Sequence, residues 1–240
     1  MKRSVLTSRT ALVTGGTRGI GYAIAQRLIE DGAEVLVTGC QLSGKGPSGS
    51  EYFGVDFADQ QAVDLFAESM KKRQIDILIN NAGVNKIGRF AEIDQADFRN
   101  IQQINLHAPF CLSQAVVEGM KARSWGRIVN IGSIWSKISK EFRVSYSASK
   151  FALDGMTAAM SAELARYGVL VNCVSPGFID TDMTRQVLGE DGMKELAEMV
   201  PARRFGSPDE IARFVAWLAG PENTYISGQN IAIDGGFTRV

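Results

Sequence analysis

The stretch Thr14–Gly21, which runs TGGTRGIG, decides the fold class of this chain. It follows a short apolar run and precedes a pattern of helical periodicity that begins near Tyr22. In such a unit Gly15 permits a tight turn, Gly19 lets backbone N–H groups approach a pyrophosphate, and Gly21 lets the helix pack on the strand. Glycines also fill turns for structural reasons alone, but this spacing indicates a dinucleotide-binding turn.

Seven short runs rich in valine and isoleucine predict the strands of a buried sheet. These runs are Thr10–Thr14, Ala33–Thr38, Tyr52–Val55, Ile75–Asn80, Arg127–Ile131, Val169–Val174 and Asn230–Ile233. Most intervals between them have helical spacing, although Gln41–Ser50 is rich in glycine and serine and is predicted to be a loop. We therefore expect an α/β fold, a single-domain Rossmann-type doubly wound parallel sheet of about seven strands over residues 1–240, with helices on both faces.

The composition limits the kinds of binding partner and the cellular compartment that can be expected for this chain. The chain has 26 Lys and Arg residues against 26 Asp and Glu residues, so its net charge gives no reason to expect nucleic acid as a partner. The three cysteines, Cys40, Cys111 and Cys173, lie too far apart for a disulfide framework or a zinc site and fit a reducing cytoplasm. No stretch approaches the roughly 20 apolar residues of a membrane span.

A tyrosine and a lysine at helical spacing mark a candidate catalytic site. Tyr146 and Lys150 lie four residues apart and share one helix face. An adjacent ammonium would lower the pKa of the phenol and make it a usable general acid or base. An isolated pair of this kind is more simply an exposed helix face. Ser133, however, follows the run Arg127–Ile131 at the strand end where doubly wound folds bind their ligands, which favours a site.

These motifs together resemble the short-chain dehydrogenase/reductase family. The resemblance includes the glycine turn, the tetrapeptide Asn80–Gly83, Ser133 and the pair Tyr146 and Lys150, and it spans nearly the whole chain. It implies that Tyr146 donates the proton to a substrate carbonyl whose oxygen Ser133 orients. Lys150 would hold the nicotinamide ribose and lower the tyrosine pKa. Asn105 would be the fourth catalytic residue and would anchor a proton-relaying water.

The sequence around Asn105 supports that last role independently. Pro109 has no N–H, so the Asn105 carbonyl loses its helical partner and an ordered water is the simplest replacement. His107 and Cys111 share a helix face, but two ligands without further histidine or cysteine nearby predict no metal.

The resemblance also implies a set of cofactor contacts. The expected residues are Gly15, Thr17, Arg18, Gly19, Ile20, Gly21, Asp56, Asn81, Ala82, Gly83, Tyr146, Lys150, Pro176, Gly177, Ile179 and Thr181. Gly39 and Cys40 stand where an acidic residue would hold the ribose of NAD, and Arg18 and Lys45 could pair with a 2′-phosphate. NADP(H) is therefore the preferred cofactor, with NAD(H) as the alternative, unless both cations are merely solvated.

The implied activity is the interconversion of a ketone and a secondary alcohol. Segments 176–183 and 225–236 are similar to those of 3-oxoacyl-[acyl-carrier-protein] reductases, which makes a 3-oxoacyl thioester the best substrate prediction. A basic rim at Trp135, Lys137, Lys140, Glu141 and Arg143 leaves a sugar or polyol dehydrogenase open. A catalytically idle cofactor sensor or scaffold is the alternative from another class. The resemblance further implies a substrate lid at 181–207 and a homotetramer.

Overall fold

A computed structural model describes residues 5–240, with the backbone alone at 183, 187 and 188. In chain order the strands are β1 Thr10–Val13, β2 Glu34–Gly39, β3 Ser50–Gly54, β4 Ile77–Asn80, β5 Gly126–Ile131, β6 Val169–Pro176 and β7 Asn230–Ile233. All neighbouring strands pair in parallel, in the order β3-β2-β1-β4-β5-β6-β7. Each predicted run overlaps one of these strands, so the predicted fold class is confirmed.

Helices cover both faces of the sheet. They are α1 Gly19–Glu30, α2 Gln60–Lys71, α3 Gln95–Gln102, α4 Ala108–Ala122, α5 Val144–Leu164, α6 Asp182–Met199 and α7 Pro208–Leu218. Helices α1 and α7 pack on one face, and α2, α4 and the end of α5 pack on the other. Among residues 5–240, no helix has the length and apolar character needed to cross a membrane.

Alternation along each central strand explains why both faces are filled. In β1, Ala11 and Val13 point into the core beneath α1 and α7, whereas Leu12 points into the core beneath α2 and α4. The same alternation places Val37 on the first face and Leu36 on the second. A strand covered on both faces needs apolar residues at every position, which is why the strands appear in the sequence as continuous runs.

The connection from β2 to β3 contains no helix, as the composition of Gln41–Ser50 predicts. The loop is closed by hydrogen bonds at both ends. The Tyr52 phenol donates to the Gln41 carbonyl, and the Ser50 hydroxyl donates to the Pro47 carbonyl over 2.7 Å. These contacts hold the loop beside the end of β2, close to the glycine turn.

The order of the strands places a crevice at the carboxyl end of β1. This strand pairs with β2 on one side and with β4 on the other. The strands before β4 in the chain are added to one side of β1 and the later strands to the other side, so the strand order reverses at β1. Open α/β sheets bind their ligands in the crevice at such a switch point. The turn after β1 and the loops after β4 and β5 therefore define the place to examine.

Candidate active site

The glycine turn after β1 has a backbone that only glycine tolerates. Gly15 and Gly19 have φ values of +65° and +55°, in the left-handed region. A Cβ on Gly21 would lie 2.3 Å from both the Gly15 carbonyl oxygen and Asn81 Nδ2. The helix α1 begins at Gly19 itself, three residues before the expected start near Tyr22.

The N-terminus of α1 lacks a side-chain cap, as do those of α4 and α5, whereas α2, α3, α6 and α7 have one. Arg18 is extended at the N-cap and its side chain makes no cap hydrogen bond, and the first turn contains no acidic residue. By contrast, the Asp59 carboxylate caps α2, the Asp94 carboxylate caps α3 and the Ser207 hydroxyl caps α7. The first N–H groups of α1 and the positive end of its dipole are therefore suited to an anion such as a pyrophosphate.

The glycine turn is fastened to the segment that follows β4. Asn81 Nδ2 donates to the carbonyls of Thr14 and Gly15 over 2.9 and 3.1 Å. The backbone N–H groups of Asn81 and Ala82 both donate to the Thr14 hydroxyl over 2.9 Å. Thr14 was not predicted as a site residue. Its position could have indicated the role, because it is a hydroxyl-bearing residue directly between a buried strand and the glycine turn. The contacts fix the turn for cofactor binding.

Asn105 lies in a π-helical segment, Gln103–His107, between α3 and α4. Its buried side chain accepts from Val84 N over 2.8 Å and donates to the Val84 carbonyl and to Ser149 Oγ over 2.9 and 3.0 Å. Pro109 follows in the first turn of α4, so the expected break in the helical hydrogen bonds takes the form of a wider turn. The water on the Asn105 carbonyl stays a prediction.

Ser133 sits just beyond β5, where it caps a short 3-10 helix, Ile134–Ser136. Its hydroxyl accepts from Trp135 N over 3.3 Å. The Ser136 hydroxyl donates to the Ser133 carbonyl over 2.7 Å and contacts Ser175 Oγ of β6 over 2.8 Å. This network anchors the serine backbone to the sheet and leaves its hydroxyl facing the start of α5.

Tyr146 and Lys150 occupy the first two turns of α5 beside Ser133. The Ser133 hydroxyl is hydrogen-bonded to the Tyr146 phenol. Lys150 Nζ donates to the Ile131 carbonyl over 2.8 Å and lies 5.6 Å from the centre of the Tyr146 ring. Asn105 joins them through Ser149. The four residues predicted to be catalytic are thus brought together at the carboxyl end of β5.

The ionisation of this cluster differs from the prediction. Burial raises the pKa of the Tyr146 phenol, and the hydrogen bond from Ser133 and the charge of Arg143 only partly oppose it. Burial also lowers the pKa of the Lys150 ammonium to about 8. The expected lowering of the tyrosine pKa by Lys150 is therefore wrong in this structure, because the lysine donates to a carbonyl and both groups are removed from water.

The wall beside Tyr146 also differs from the prediction. Trp135 is buried and packs edge-on against Phe237, with ring centres 6.4 Å apart, so it is not part of an exposed rim. Arg143 Cζ lies 5.7 Å from the centre of the Trp135 ring and Lys140 Nζ lies 5.8 Å from it. The tryptophan therefore forms an apolar wall, with cations along it.

Other predicted cofactor residues lie around the same crevice. Thr181 caps α6, and its Cγ2 would lie 3.7 Å from a Cβ on Gly19. A Cβ on Gly83 would lie 3.6 Å from Lys150 Nζ. Gly177 follows β6 and donates from its N–H to the Ile233 carbonyl over 3.0 Å. These contacts bring the ends of β4, β6 and α1 to one crevice.

The remaining predicted positions are more varied. Pro176 ends β6, and Ile179 beyond it is buried against Gly206. Asp56 is exposed after β3, where its carboxylate accepts from Ala58 N over 2.9 Å. Thr17 and Ile20 are half-buried in the glycine turn. The hydrogen bond to Ala58 gives Asp56 a local structural role as well.

The end of β2 carries no carboxylate. Gly39 is its last residue and Cys40 is exposed directly after it. Arg18 and Lys45 are both exposed, and neither has a carboxylate within ion-pair distance in the described part of the chain. The surroundings therefore fit the phosphate of NADP better than the free ribose hydroxyls of NAD.

The motif of His107 and Cys111 brings two side chains together, with His107 Nε2 and Cys111 Sγ 3.4 Å apart. Residues 5–240 contain no cluster of three or more histidine, cysteine, aspartate or glutamate side chains that could hold a metal ion.

A Rossmann-type sheet with a glycine turn and a serine, tyrosine and lysine cluster at its carboxyl edge defines a nucleotide-dependent oxidoreductase. A family model described as enoyl-(acyl carrier protein) reductase matches residues 15–238. The chain belongs to the short-chain dehydrogenase/reductase family, as its motifs predict.

Characterised relatives match over nearly the full chain. The 3-oxoacyl-[acyl-carrier-protein] reductase of Vibrio cholerae is 38% identical, and the match covers 96% of this chain and 98% of the relative. The acetoacetyl-CoA reductase of Cupriavidus necator is 36% identical, with 96% and 98% covered.

Solved structures of sugar-acid dehydrogenases are similar as well. The gluconate 5-dehydrogenase of Burkholderia cenocepacia, in complex with NADP and tartrate, is 30% identical and has a TM-score of 0.90, with 99% of this chain and 98% of that chain covered.

Proposed function

We propose that this protein reduces a 3-oxoacyl thioester to the 3-hydroxyacyl thioester with NADPH. The observation that carries the proposal is the convergence of Ser133, Tyr146 and Lys150 beside the uncapped start of α1. Relatives that reduce 3-oxoacyl and acetoacetyl thioesters support the substrate. The intact cluster disfavours the alternative of an idle scaffold, which would need none of these side chains.

In the proposed mechanism, bound NADPH supplies the hydride that the substrate carbonyl carbon accepts. The raised pKa keeps the Tyr146 phenol protonated at neutral pH, so that its proton is available to the carbonyl oxygen. The Ser133 hydroxyl donates to the same oxygen and orients it toward the phenol. Both groups stabilise the negative charge that develops on this oxygen as the hydride arrives.

Lys150 is suited to restore the proton on Tyr146. Its pKa of about 8 lies near neutral pH, where a group both releases and takes up protons readily. The hydrogen bond to the Ile131 carbonyl holds Nζ in place. Asn105 connects this region to the loop after β4 through Ser149 and Val84. We propose that this connection positions Lys150 and that the Asn105 carbonyl holds the water through which protons arrive.

We also propose that the chain works as one domain, with residues 181–207 as a lid over the substrate. Its helix α6 is interrupted at Gly189, whose φ is +63° and ψ is 179°. The lid begins at Thr181, close to the glycine turn, and Gly206 near its end pairs with Ile179. A helix broken in this way between two fixed ends can change shape as substrate enters.

A homotetramer in the cytoplasm completes the proposal. A groove of about 680 Å³ lies across α3, α4 and α5, and Phe98, Phe110 and Met156 are among the residues that line it. Phe110 is 47% exposed and neighbouring Phe151 is 45% exposed. A second copy of the chain is the proposed occupant, because exposed aromatic rings around an apolar groove are typical of subunit contacts. The free thiols of the three cysteines fit a reducing compartment.

The cofactor preference gives a direct prediction at the glycine turn. Arg18→Gln removes a cation that would pair with the 2′-phosphate of NADPH, and a charge-assisted hydrogen bond of this kind is worth about tenfold or more in affinity. We expect the Kd for NADPH to rise by about that factor while the Kd for NADH stays unchanged, measured by titration of cofactor fluorescence. Arg213→Gln on the exposed side of α7 is the matched control. Equal losses for both cofactors would contradict the assignment.

The proposed activity itself is tested by following NADPH oxidation with acetoacetyl thioester, gluconate-type keto acids and simple ketones. We expect the highest kcat/KM with the thioester. The similarity to a gluconate 5-dehydrogenase favours a sugar-acid dehydrogenase as the second candidate, and turnover of 5-ketogluconate without turnover of the thioester would establish it instead. Binding of neither NADPH nor NADH would refute both.

A further inference from the structure

Arg143 is a half-buried cation whose guanidinium contacts the Trp135 ring but has no hydrogen-bond or ion-pair partner in the described part of the chain. Its Nε is buried without a hydrogen bond, and the residue forms no ion pair within residues 5–240. Burial lowers the pKa of its guanidinium. Arg127 is also buried without an acid, but it donates to the carbonyls of Gly126, Gly168 and Asn223. Arg143 has no such compensation.

A half-buried guanidinium without an acceptor for its Nε is costly, and the contact with the Trp135 ring offsets only part of that cost. Removing a charge from water without a partner is unfavourable, and arginine normally meets that cost with acceptors matched to its planar fork. The most favourable acceptors are oxygens that carry a full or partial negative charge. The side chain therefore has the properties of a group that binds an oxygen atom of a ligand.

The position of Arg143 indicates which ligand this is. It lies three residues before Tyr146, about one turn of helix, and its charge acts on the Tyr146 phenol. The Trp135 ring, 5.7 Å from Cζ, forms an apolar wall on the same side. A substrate whose ketone oxygen contacts Tyr146 and Ser133 would therefore bring any second oxygen, a few bonds away, toward Arg143.

We propose that Arg143 is a specificity-determining residue that binds the second oxygen of a 3-oxo substrate, two carbons from the reacting ketone. The shared chemistry is a carbonyl or carboxylate oxygen in 1,3 relation to the ketone, from a thioester or from a free keto acid. This inference rests on the proposed function, because it presumes that a ketone binds at Tyr146. It adds that the enzyme selects bifunctional substrates over simple ketones.

The test compares three probes with the unsubstituted enzyme, Arg143→Gln and Arg143→Lys. Acetoacetyl-N-acetylcysteamine offers a thioester carbonyl, acetoacetate offers a carboxylate, and 2-pentanone offers neither. We expect R143Q to lower the ratio of kcat/KM for a bifunctional probe to that for 2-pentanone by about tenfold or more. The ratio cancels any effect of the lost charge on Tyr146. R143K keeps the charge without the fork and should recover part of the ratio.

Arg213→Gln is the control, because Arg213 is an exposed arginine on α7, outside the substrate wall. It should leave the ratio unchanged. A larger loss with acetoacetate than with the thioester identifies a carboxylate as the natural partner, and the reverse identifies a thioester carbonyl. Equal losses on all three probes, no loss on any, or the same loss in R213Q would overturn the proposal.

A binding measurement separates this inference from the proposed function. Acetoacetate is titrated by calorimetry into the enzyme with NADP⁺, which cannot deliver a hydride, so that no turnover occurs. We expect binding by the unsubstituted enzyme that weakens about tenfold or more in R143Q. Arg143-dependent binding by an enzyme that reduces no probe would refute the proposed function alone. Binding that is indifferent to Arg143 would refute the inference alone.

Discussion

Tyr146→Phe should reduce kcat by about 10²- to 10⁴-fold, the range that general acid catalysis contributes. The substitution keeps the ring and its packing. It removes only the hydroxyl that is hydrogen-bonded to Ser133 and that would contact the substrate oxygen. Thermal unfolding and NADPH affinity should change little, because no cofactor-holding backbone is disturbed. The measurement is single-turnover NADPH oxidation with saturating acetoacetyl thioester, which isolates the chemical step from product release.

Tyr225→Phe provides the control, since Tyr225 is 96% exposed and loses the same single hydroxyl. It should retain full turnover. If Y146F kept more than about a tenth of the activity, a different group would have to donate the proton, since that loss is smaller than a general acid contributes.

Lys150→Met should lower turnover by about 10²-fold or more, because it removes the group that restores the tyrosine proton. The same substitution should also change how stability depends on pH. Lys150 is almost fully buried, and its pKa falls from 10.5 to about 8 on folding. Between these values the unfolded chain holds a proton that the folded chain has released, so raising the pH stabilises the folded state.

The size of this effect follows from the pKa difference. Between roughly pH 7.5 and pH 9.5 the unfolding free energy of the unsubstituted enzyme should rise by about 2 kcal/mol relative to that of K150M. Urea unfolding at several pH values measures the difference. Cys173, whose pKa burial raises to about 11, stays largely protonated over this pH range and adds little to the difference. Lys137→Met removes an exposed lysine and should show no such trend, whereas a flat difference for K150M would contradict the buried ammonium.

The sheet could be predicted from the sequence because strands buried on both faces must be apolar at every position. Leu36 and Val37 face opposite cores, so their run could only be a central strand. The strand ends were less accurate. The fourth run was expected to begin at Ile75, but β4 begins at Ile77. The preceding Asp76 is buried, and its carboxylate accepts from Arg123 and from Thr10 N over 3.1 Å. A buried acid before a strand has no periodic signature.

The candidate site was predictable to the extent that it depends on local spacing. The glycine turn and the tyrosine four residues before a lysine each belong to one local segment of the chain. Their spacing in the sequence is therefore enough to predict them. The loss of a helical partner at Asn105 followed from Pro109, but the π-helical form of that break depends on how α3 and α4 both pack on the sheet. The burial of Trp135 depends on Phe237, from the far end of the chain.

The direction in which the pKa of Tyr146 shifts could not have been predicted from the sequence either. Helical spacing says that Lys150 is near, but it does not say how much water remains or which acceptor the ammonium chooses. Here the ammonium donates to the Ile131 carbonyl, and desolvation of the phenol decides the balance. Similarly, nothing in the sequence distinguishes Arg143, which lacks a hydrogen-bond or ion-pair partner, from an arginine solvated at a surface.

The parallel sheet also constrains how the protein acquires its structure during folding. Within residues 5–240 no two neighbouring strands are joined by a tight hairpin. Ala11 at the centre of the sheet must pair with Ile77, and Cys173 near one edge must pair with Asn230. Closing such long loops costs conformational entropy before the strand contacts that compensate for it have formed. Chains with such contacts therefore fold slowly. β7 can therefore pair only after residues 230–233 have been synthesised, and until then the edge of β6 stays open to other chains.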